Sequence, residues 1–319
     1  MIARPAPQTL GILVGLLAYG TYSAADALVK FLGTSLNVFE IGLFTAIFAF
    51  VPGLLAKPKT ERVRDAFRFR RPVLMHAMGL TRMVAGMLAT YAFVTIPLAE
   101  VYAIVFLIPM FTAILSVIVL KEKVTLARVL VMALSFIGVL IVVRPGFREL
   151  QLGHLATVGC AIGAAASVII TRLIAHEEQK FSVFTIPLAY SGVANLIGLF
   201  FLGVGGLTPV TLIWLVIAGI VGGVGYLFQM KALELSPANV VAPTQYTQIG
   251  WALLFGALFF NEFPDAIGMV GLAVVVVAGI GNVIADGGRA RIAGRWAEYR
   301  ARRAAKGPTG YQGPGPDPV

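Results

Sequence analysis

The sequence predicts an all-α membrane protein in which ten transmembrane helices form two inverted five-helix repeats. Long apolar segments fill the chain, which is 58% hydrophobic and 13% charged, with a mean hydropathy of +0.88. Soluble domains are about 25% charged. A spanning helix needs roughly 20 apolar residues, whereas a membrane barrel shows shorter, alternating segments. Because backbone groups in lipid must be satisfied within the protein, continuous apolar runs indicate helices.

Ten spans follow one another with short connections, which leaves almost no room for a soluble domain. The first is long enough to cross a membrane, and we expect it to be a span and not a cleavable signal, because no small-x-small site closes it. The predicted spans 1 to 10 are 9–32, 37–56, 72–94, 99–119, 126–143, 152–173, 183–203, 210–230, 239–259 and 265–285.

A duplication relates the first five spans to the second five. Pro97 opens a segment that leads to Glu122, and Pro237 opens one that leads to Glu262, so both pairs are offset by 140 residues. Because five is odd, the second copy is inserted upside down, as in secondary transporters whose sites lie at the repeat interface. The predicted units are repeat 1 (9–143), repeat 2 (152–285) and a basic, then disordered, cytoplasmic tail (286–319).

Basic residues predict the orientation. With the N-terminus inside, 21 of the 25 Lys and Arg residues fall in cytoplasmic segments, and only Arg144 and Arg148 fall outside. Basic loops stay cytoplasmic, so we expect a multi-pass protein of the inner (plasma) membrane with both termini in the cytoplasm. The net charge of +10 therefore reflects membrane topology, and no nucleic-acid partner is expected.

Few residues offer chemistry outside the spans. One cysteine, Cys160, and three scattered histidines exclude an internal disulfide and make a metal cluster unexpected. We expect no cofactor, and a monomer or a weak homodimer. A lipid-modifying membrane enzyme would need clustered acidic residues or histidines on loops, so we expect no enzyme. A channel or a non-transporting receptor is the other alternative to a transporter.

Charged side chains inside the spans are the main candidates for a site. A charge at membrane depth costs about 2.5–3.5 kcal/mol, so it normally faces the bundle interior or water. Tyr19, Tyr22, Asp26 and Lys30 share one face of span 1. Asp26 either neutralises Lys30 within the helix, or binds a substrate amine or carries a proton. Lys30 lies near the outer end, where it can reach the headgroups.

Arg82 lies near the middle of span 3 and keeps its proton. It either pairs with Asp26 or Glu100, or holds a substrate carboxylate or phosphate bidentately. We expect Asp26 and Arg82 to reach each other in the empty state, directly or through water. A zwitterionic solute would then present one charge to each.

Aromatic and amide side chains are predicted to complete a cavity surrounded by spans 1, 3, 4, 6, 8 and 9. Lipid contact or core packing is the alternative for each aromatic residue. Pro109 and Pro243, in the equivalent spans 4 and 9, are expected to bend the helices around the cavity, and Pro187 to bend span 7. The predicted substrate-binding residues besides Tyr19, Tyr22, Asp26 and Arg82 are Tyr102, Phe106, Tyr226, Gln245 and Gln248.

Acidic residues near the span ends are assigned other roles. Glu40 and Glu100 are expected at the mouth of the cavity. Glu122 and Glu262 are expected to cap or pair with a neighbouring helix end, because twin positions of a repeat usually serve the repeat itself.

Over residues 9–285, the chain resembles the EamA-type members of the drug/metabolite transporter superfamily. The resemblance rests on the segments IPLAE (96–100) and LSPAN (235–239), each followed by an apolar span that ends in glutamate, and on DALVK (26–30) in span 1. Many relatives carry an arginine in span 2, where this chain has FTA (44–46). The resemblance implies alternating-access transport of an amino acid, an amine or a similar small amphipathic metabolite. It also implies outward transport in exchange for protons, for which Asp26 is the candidate.

Overall fold

The computed structural model describes residues 7–121, 126–144, 149–174, 177–236 and 238–281, and each predicted span within these ranges is helical. Glu122 and the tail 286–319 lie outside the described residues. The helices are Pro7–Leu32 (span 1), Val38–Leu55 (span 2), Pro72–Thr95 (span 3), Leu98–Val105 and Ile108–Leu120 (span 4), Leu126–Val143 (span 5), Leu152–Ile174 (span 6), Lys180–Leu202 (span 7), Pro209–Leu235 (span 8), Ala238–Val241, the 3-10 helix Ala242–Tyr246 and Thr247–Phe260 (span 9), and Ala266–Gly281 (span 10).

The helix surfaces are those of a membrane protein. Within the described residues, seven helical segments are long and apolar enough to cross a bilayer, and shorter apolar helices occupy spans 5 and 10. Large apolar side chains face outward, among them Phe200 at 85% exposure and Leu55 at 83%. Exposing so much apolar surface to water would be unfavourable, whereas lipid accommodates it. The chain is a multi-pass membrane protein.

Spans 4 and 9 are interrupted at their prolines, as predicted. Span 4 stops at Val105 and resumes at Ile108, with Pro109 in the first turn of the second part. Pro243 lies in the 3-10 segment of span 9. A proline has no N–H to donate and its ring excludes the carbonyl four residues earlier, so the helix breaks there. By contrast, the helix of span 7 continues through Pro187.

Helix ends and helix pairs repeat between the two halves. Span 4 ends at Lys121 and span 9 at Asn261, and both residues have a left-handed conformation, with φ of 54° and 52°. Span 1 packs along span 8, and span 6 packs along span 3, which is the equivalent pair. Spans 1 and 6 also contact spans 9 and 4, respectively. We call spans 1, 8 and 9 group A, and spans 3, 4 and 6 group B; each contains helices from both repeats.

Glycines allow two close helix contacts. A Cβ on Gly138 of span 5 would lie 3.1 Å from the Gly271 carbonyl oxygen of span 10, and a Cβ on Gly271 would lie 3.0 Å from the Gly138 carbonyl oxygen. Gly223 of span 8 likewise brings its helix against span 2, since a Cβ on Gly223 would lie 2.7 Å from the Ala49 carbonyl oxygen. Small residues favour such close approach in membranes. The reciprocal contact between Gly138 and Gly271 fits a two-repeat arrangement.

Candidate functional site

Asp26 lies where span 1 of group A meets span 4 of group B. The Tyr102 hydroxyl donates to Asp26 Oδ2 at 2.5 Å and lies 3.3 Å from Ser23 Oγ. Gln248 of span 9 interacts with the same hydroxyl. Asp26 is densely surrounded by protein but keeps part of its surface accessible.

Lys30 does not neutralise Asp26 within the helix, nor does it reach for the headgroups. It is 9% exposed, and its Nζ lies 2.8 Å from Glu262 Oε1. The same ammonium donates to the Ile96 carbonyl oxygen at 2.8 Å. The partner comes from the segment after span 9, which packs against the end of span 1.

Arg82 has a partner within group B. Its Nε donates to Ser167 Oγ of span 6 at 2.8 Å. Asp26 and Arg82 both lie in the described ranges, where no ion pair within 4.0 Å joins them. The expected direct contact is therefore not formed. Tyr22 lies close enough to both residues to interact electrostatically with each.

Tyr19 and Tyr22 form one network with span 8. The Tyr22 hydroxyl donates to Gln229 Oε1 at 3.1 Å, and Gln229 Nε2 donates to the Tyr19 hydroxyl oxygen at 3.2 Å. The two tyrosine rings are 6.1 Å apart. This network lies entirely within group A and holds both hydroxyls in place.

The other predicted residues lie in two places. One set, on spans 4 and 9, consists of Phe106, Gln245 and Gln248, and the other is Tyr226 of span 8. Phe106 of span 4 packs on Tyr246 of span 9, with ring centroids 5.0 Å apart, so this contact joins groups B and A. Gln248 is buried, and Gln245 is partly exposed. Tyr226 packs on Phe184 of span 7 at 4.8 Å and lies near Arg82.

Two cavities lie at opposite ends of the bundle. One, of about 310 Å³, is lined by Tyr226, Phe184 and residues such as Met230, at the face predicted to be cytoplasmic. The other, of about 240 Å³, lies at the opposite face and is lined by residues that include Glu100 and Glu262. Within the described ranges, no group of three or more His, Cys, Asp or Glu is placed to hold a metal ion.

The acidic residues near span ends have defined partners. Glu262 Oε2 accepts from the Leu98 N–H at 3.2 Å, so it caps the start of span 4 and also pairs with Lys30, as predicted. Glu100 lines the cavity at the predicted outer face and bonds to His154 Nε2 at 2.8 Å. Glu40 is not at a cavity mouth: it is fully buried and accepts hydrogen bonds from backbone N–H groups.

Sequence reasoning did not nominate Ser167 or Phe184 for the site, whereas Gln229 and Tyr246 belonged to the expected aromatic and amide lining without being named as binding residues. For Gln229, a signal existed, since an amide three residues from Tyr226 in an apolar span needs a partner. Ser167 carried no such signal, because serine in a helix often bonds to the backbone of its own helix.

Comparison with known proteins identifies related chains. Residues 9–144 and 151–284 each match the model of the EamA-like transporter family. The S-adenosylmethionine uptake transporter of Rickettsia prowazekii is 27% identical over 84% of this chain and 90% of its own length. The solute carrier family 35 member G1 of Homo sapiens is 30% identical over 86% of this chain and 79% of its own length.

Two further similarities agree with these. The pseudopaline exporter CntI of Pseudomonas aeruginosa is 30% identical over 84% of this chain and 94% of its own length. One protein of known crystal structure shares the fold, with a TM-score of 0.61 and 18% identity over 85% of this chain and 95% of that chain.

Proposed function

The chain belongs to the EamA-like transporter family, and on this basis we propose that it is a secondary transporter of a small organic metabolite. It acts by alternating access in the inner membrane, with both termini in the cytoplasm. Relatives named as an uptake transporter and as an exporter support metabolite transport in general. The basic residues of the loops support the orientation.

The observation that carries the proposal is the placement of Asp26 and Arg82 in different helix groups, each held by a hydrogen bond and each near enough to Tyr22 to interact with it electrostatically. Asp26 offers an acceptor to an amine, and Arg82 offers a donor fork to a carboxylate or phosphate. Aromatic rings and the Gln229 amide supply apolar and hydrogen-bonding contacts beside these charges. An amphipathic solute with both charges, such as an amino acid derivative, fits this set of groups better than a bare ion.

Asp26 is the candidate for proton coupling. It is the acidic side chain of this set, and the Tyr102 hydroxyl stabilises its charged form by donating to it. A substrate amine and a proton would compete for the same carboxylate. Such competition couples outward movement of substrate to inward movement of protons, because only one of the two occupies the site at a time.

Counterflow in proteoliposomes tests this function. The vesicles would be loaded with leucine, phenylalanine, putrescine or S-adenosylmethionine, and uptake of the labelled compound would be followed with and without a pH gradient. We expect saturable counterflow for at least one amine-containing compound. Asp26→Asn should abolish proton-driven accumulation more than exchange. Non-saturable flux would favour a channel, and unchanged proton dependence in Asp26→Asn would remove the coupling role.

A further inference from the structure

Polar contacts between group A and the start of span 4 are concentrated at one membrane face. The ammonium of Lys30 contacts Glu262 and the Ile96 carbonyl oxygen, each at 2.8 Å, and the Phe260 ring, 5.5 Å from the centroid. Glu262 also accepts from the Leu98 N–H. Lys30 lies in span 1 of group A, and Glu262 directly follows span 9, to which its N–H is bonded through the Gly256 carbonyl oxygen. Residues 96–98 lead into span 4 of group B.

The backbone groups they hold are suited to a reversible contact. Pro97, the residue before the helix of span 4, provides no side-chain cap, so the Leu98 N–H depends on Glu262. Backbone groups at a helix start can exchange a protein partner for water. The cavity of about 240 Å³ reaches Pro97 and Glu262. Breaking the two contacts would therefore expose both backbone groups to a cavity at the membrane face.

We propose that the Lys30–Glu262 pair is the outer gate of the transporter. The pair is carried by group A and holds residues 96–98 of group B. When the outer face opens, the pair stays intact, and its bonds to the Phe93 and Ile96 carbonyls and to the Leu98 N–H break. The two charges neutralise each other in both states, so opening does not leave an unpaired charge at membrane depth. The inference rests on the proposed alternating-access transport.

The arrangement at the opposite face fits a closed outer gate. There, the cavity of about 310 Å³ reaches Tyr226, which lies near Arg82. The Tyr226 and Phe184 rings, 4.8 Å apart, form part of its wall. The structure thus combines a polar closure at the predicted outer face with a cavity near the binding residues at the inner face. Removal of the pair should shift the population towards an outward-open state.

Thiol labelling tests the gate without a known substrate. The parent would carry Cys160→Ala, which removes the single native cysteine. Ser23→Cys reports the outer side, because Ser23 is 2% exposed and lies 3.3 Å from the Tyr102 hydroxyl between the groups. Met230→Cys reports the inner cavity, which it lines. A membrane-impermeant maleimide would be applied to right-side-out and inside-out vesicles.

Lys30→Met and Glu262→Gln should each increase the labelling of Ser23→Cys from the outer side by about tenfold, which corresponds to about 1.4 kcal/mol lost from the closed state. Labelling of Met230→Cys from the inner side should fall at the same time. The control is Asp265→Asn, which removes an ion pair with Arg144 at the same face. That pair does not join groups A and B, so both reporters should keep the parent rates.

Unchanged labelling of Ser23→Cys in both gate variants would overturn the proposal. A rise at both reporters would also overturn it, because loosened packing exposes both sides whereas a gate exposes one at the expense of the other. Lys30→Met and Glu262→Gln remove opposite charges, so the test still stands if one of them fails to fold. Size-exclusion elution would reveal a misfolded variant. Absence of saturable counterflow would defeat the proposed transport function, whereas absence of reciprocal labelling would defeat only the gate.

Discussion

Glu40 allows a stability prediction whose size follows from its contacts. It is fully buried, and its carboxylate accepts from the N–H groups of Asn37 at 2.8 Å, Gly205 at 3.0 Å and Gly206 at 3.3 Å. These bonds start the helix of span 2 and tie it to the loop before span 8. In Glu40→Gln, one oxygen becomes an NH₂ group that cannot accept, and the remaining bonds lose the assistance of the charge.

A buried N–H that loses its acceptor costs about 1–3 kcal/mol. With the weaker bonds included, we expect Glu40→Gln to destabilise the protein by about 2–4 kcal/mol and lower the midpoint of thermal unfolding in detergent by roughly 5–10 °C. The matched control is Glu61→Gln. Glu61 also accepts from two N–H groups, of Lys180 and Phe181, but it is partly exposed, so water can replace the lost acceptor. Its variant should lose less than half as much.

An unfolding midpoint of Glu40→Gln within about 1 °C of the parent would refute the assignment of these bonds to stability. Equal losses in Glu40→Gln and Glu61→Gln would refute the role of burial, since only Glu40 is shielded from water. Labelling of the gate reporters should be unaffected by Glu40→Gln. The bonds of Glu40 join the start of span 2 to the loop before span 8, and neither segment belongs to group A or group B.

Three further predictions concern the site, the packing and the topology. Ser167→Ala keeps the charge of Arg82 but removes its 2.8 Å partner, so substrate affinity in counterflow should fall by about two- to tenfold. Arg82→Lys should lower the affinity further, and unchanged affinity in that variant would make Arg82 a structural residue. Gly138→Leu should lower the unfolding midpoint because its Cβ meets the backbone of span 10, whereas Gly192→Leu, whose Cβ meets nothing within 4 Å, should not. A C-terminal reporter should be active only in the cytoplasm, and activity in the periplasm would contradict the predicted topology. Repeat 1 (9–143) should superpose on repeat 2 (152–285) after rotation about an axis in the membrane plane, and parallel halves would contradict the inverted duplication.

The helices and their interruptions were predictable from local sequence. A run of about 20 apolar residues has few alternatives in lipid, and a proline inside it breaks the hydrogen-bond ladder at a known position. Pro109 and Pro243 therefore located both interruptions. Pro187 shows the limit of the rule, because the helix of span 7 continues through it. A proline alone therefore does not determine whether a helix is interrupted.

Partners across helices were less predictable than the charged residues themselves. Spacing along span 1 placed Lys30 one turn from Asp26, but the ammonium pairs with Glu262, 232 residues further along the chain (262 − 30). Helical spacing indicates which residues share a face, and it does not indicate which helix packs against that face. Neutral groups were harder still. Thr157 bonds to the carbonyl of its own helix, four residues back, whereas Ser167 accepts from Arg82; nothing local distinguishes the two.

Under the proposed function, the exchange of helices between repeats would connect substrate binding to movement. Asp26 lies in group A and Arg82 in group B, and each has a partner that fixes its position. Arg82 is held within its own group by Ser167, but Asp26 is held across the groups by Tyr102. A substrate amine that binds Asp26 would compete with the Tyr102 hydroxyl and so weaken a contact between the groups. A ligand shifts an equilibrium only through contacts that differ between two states, and under the proposed function the Asp26–Tyr102 bond is such a contact.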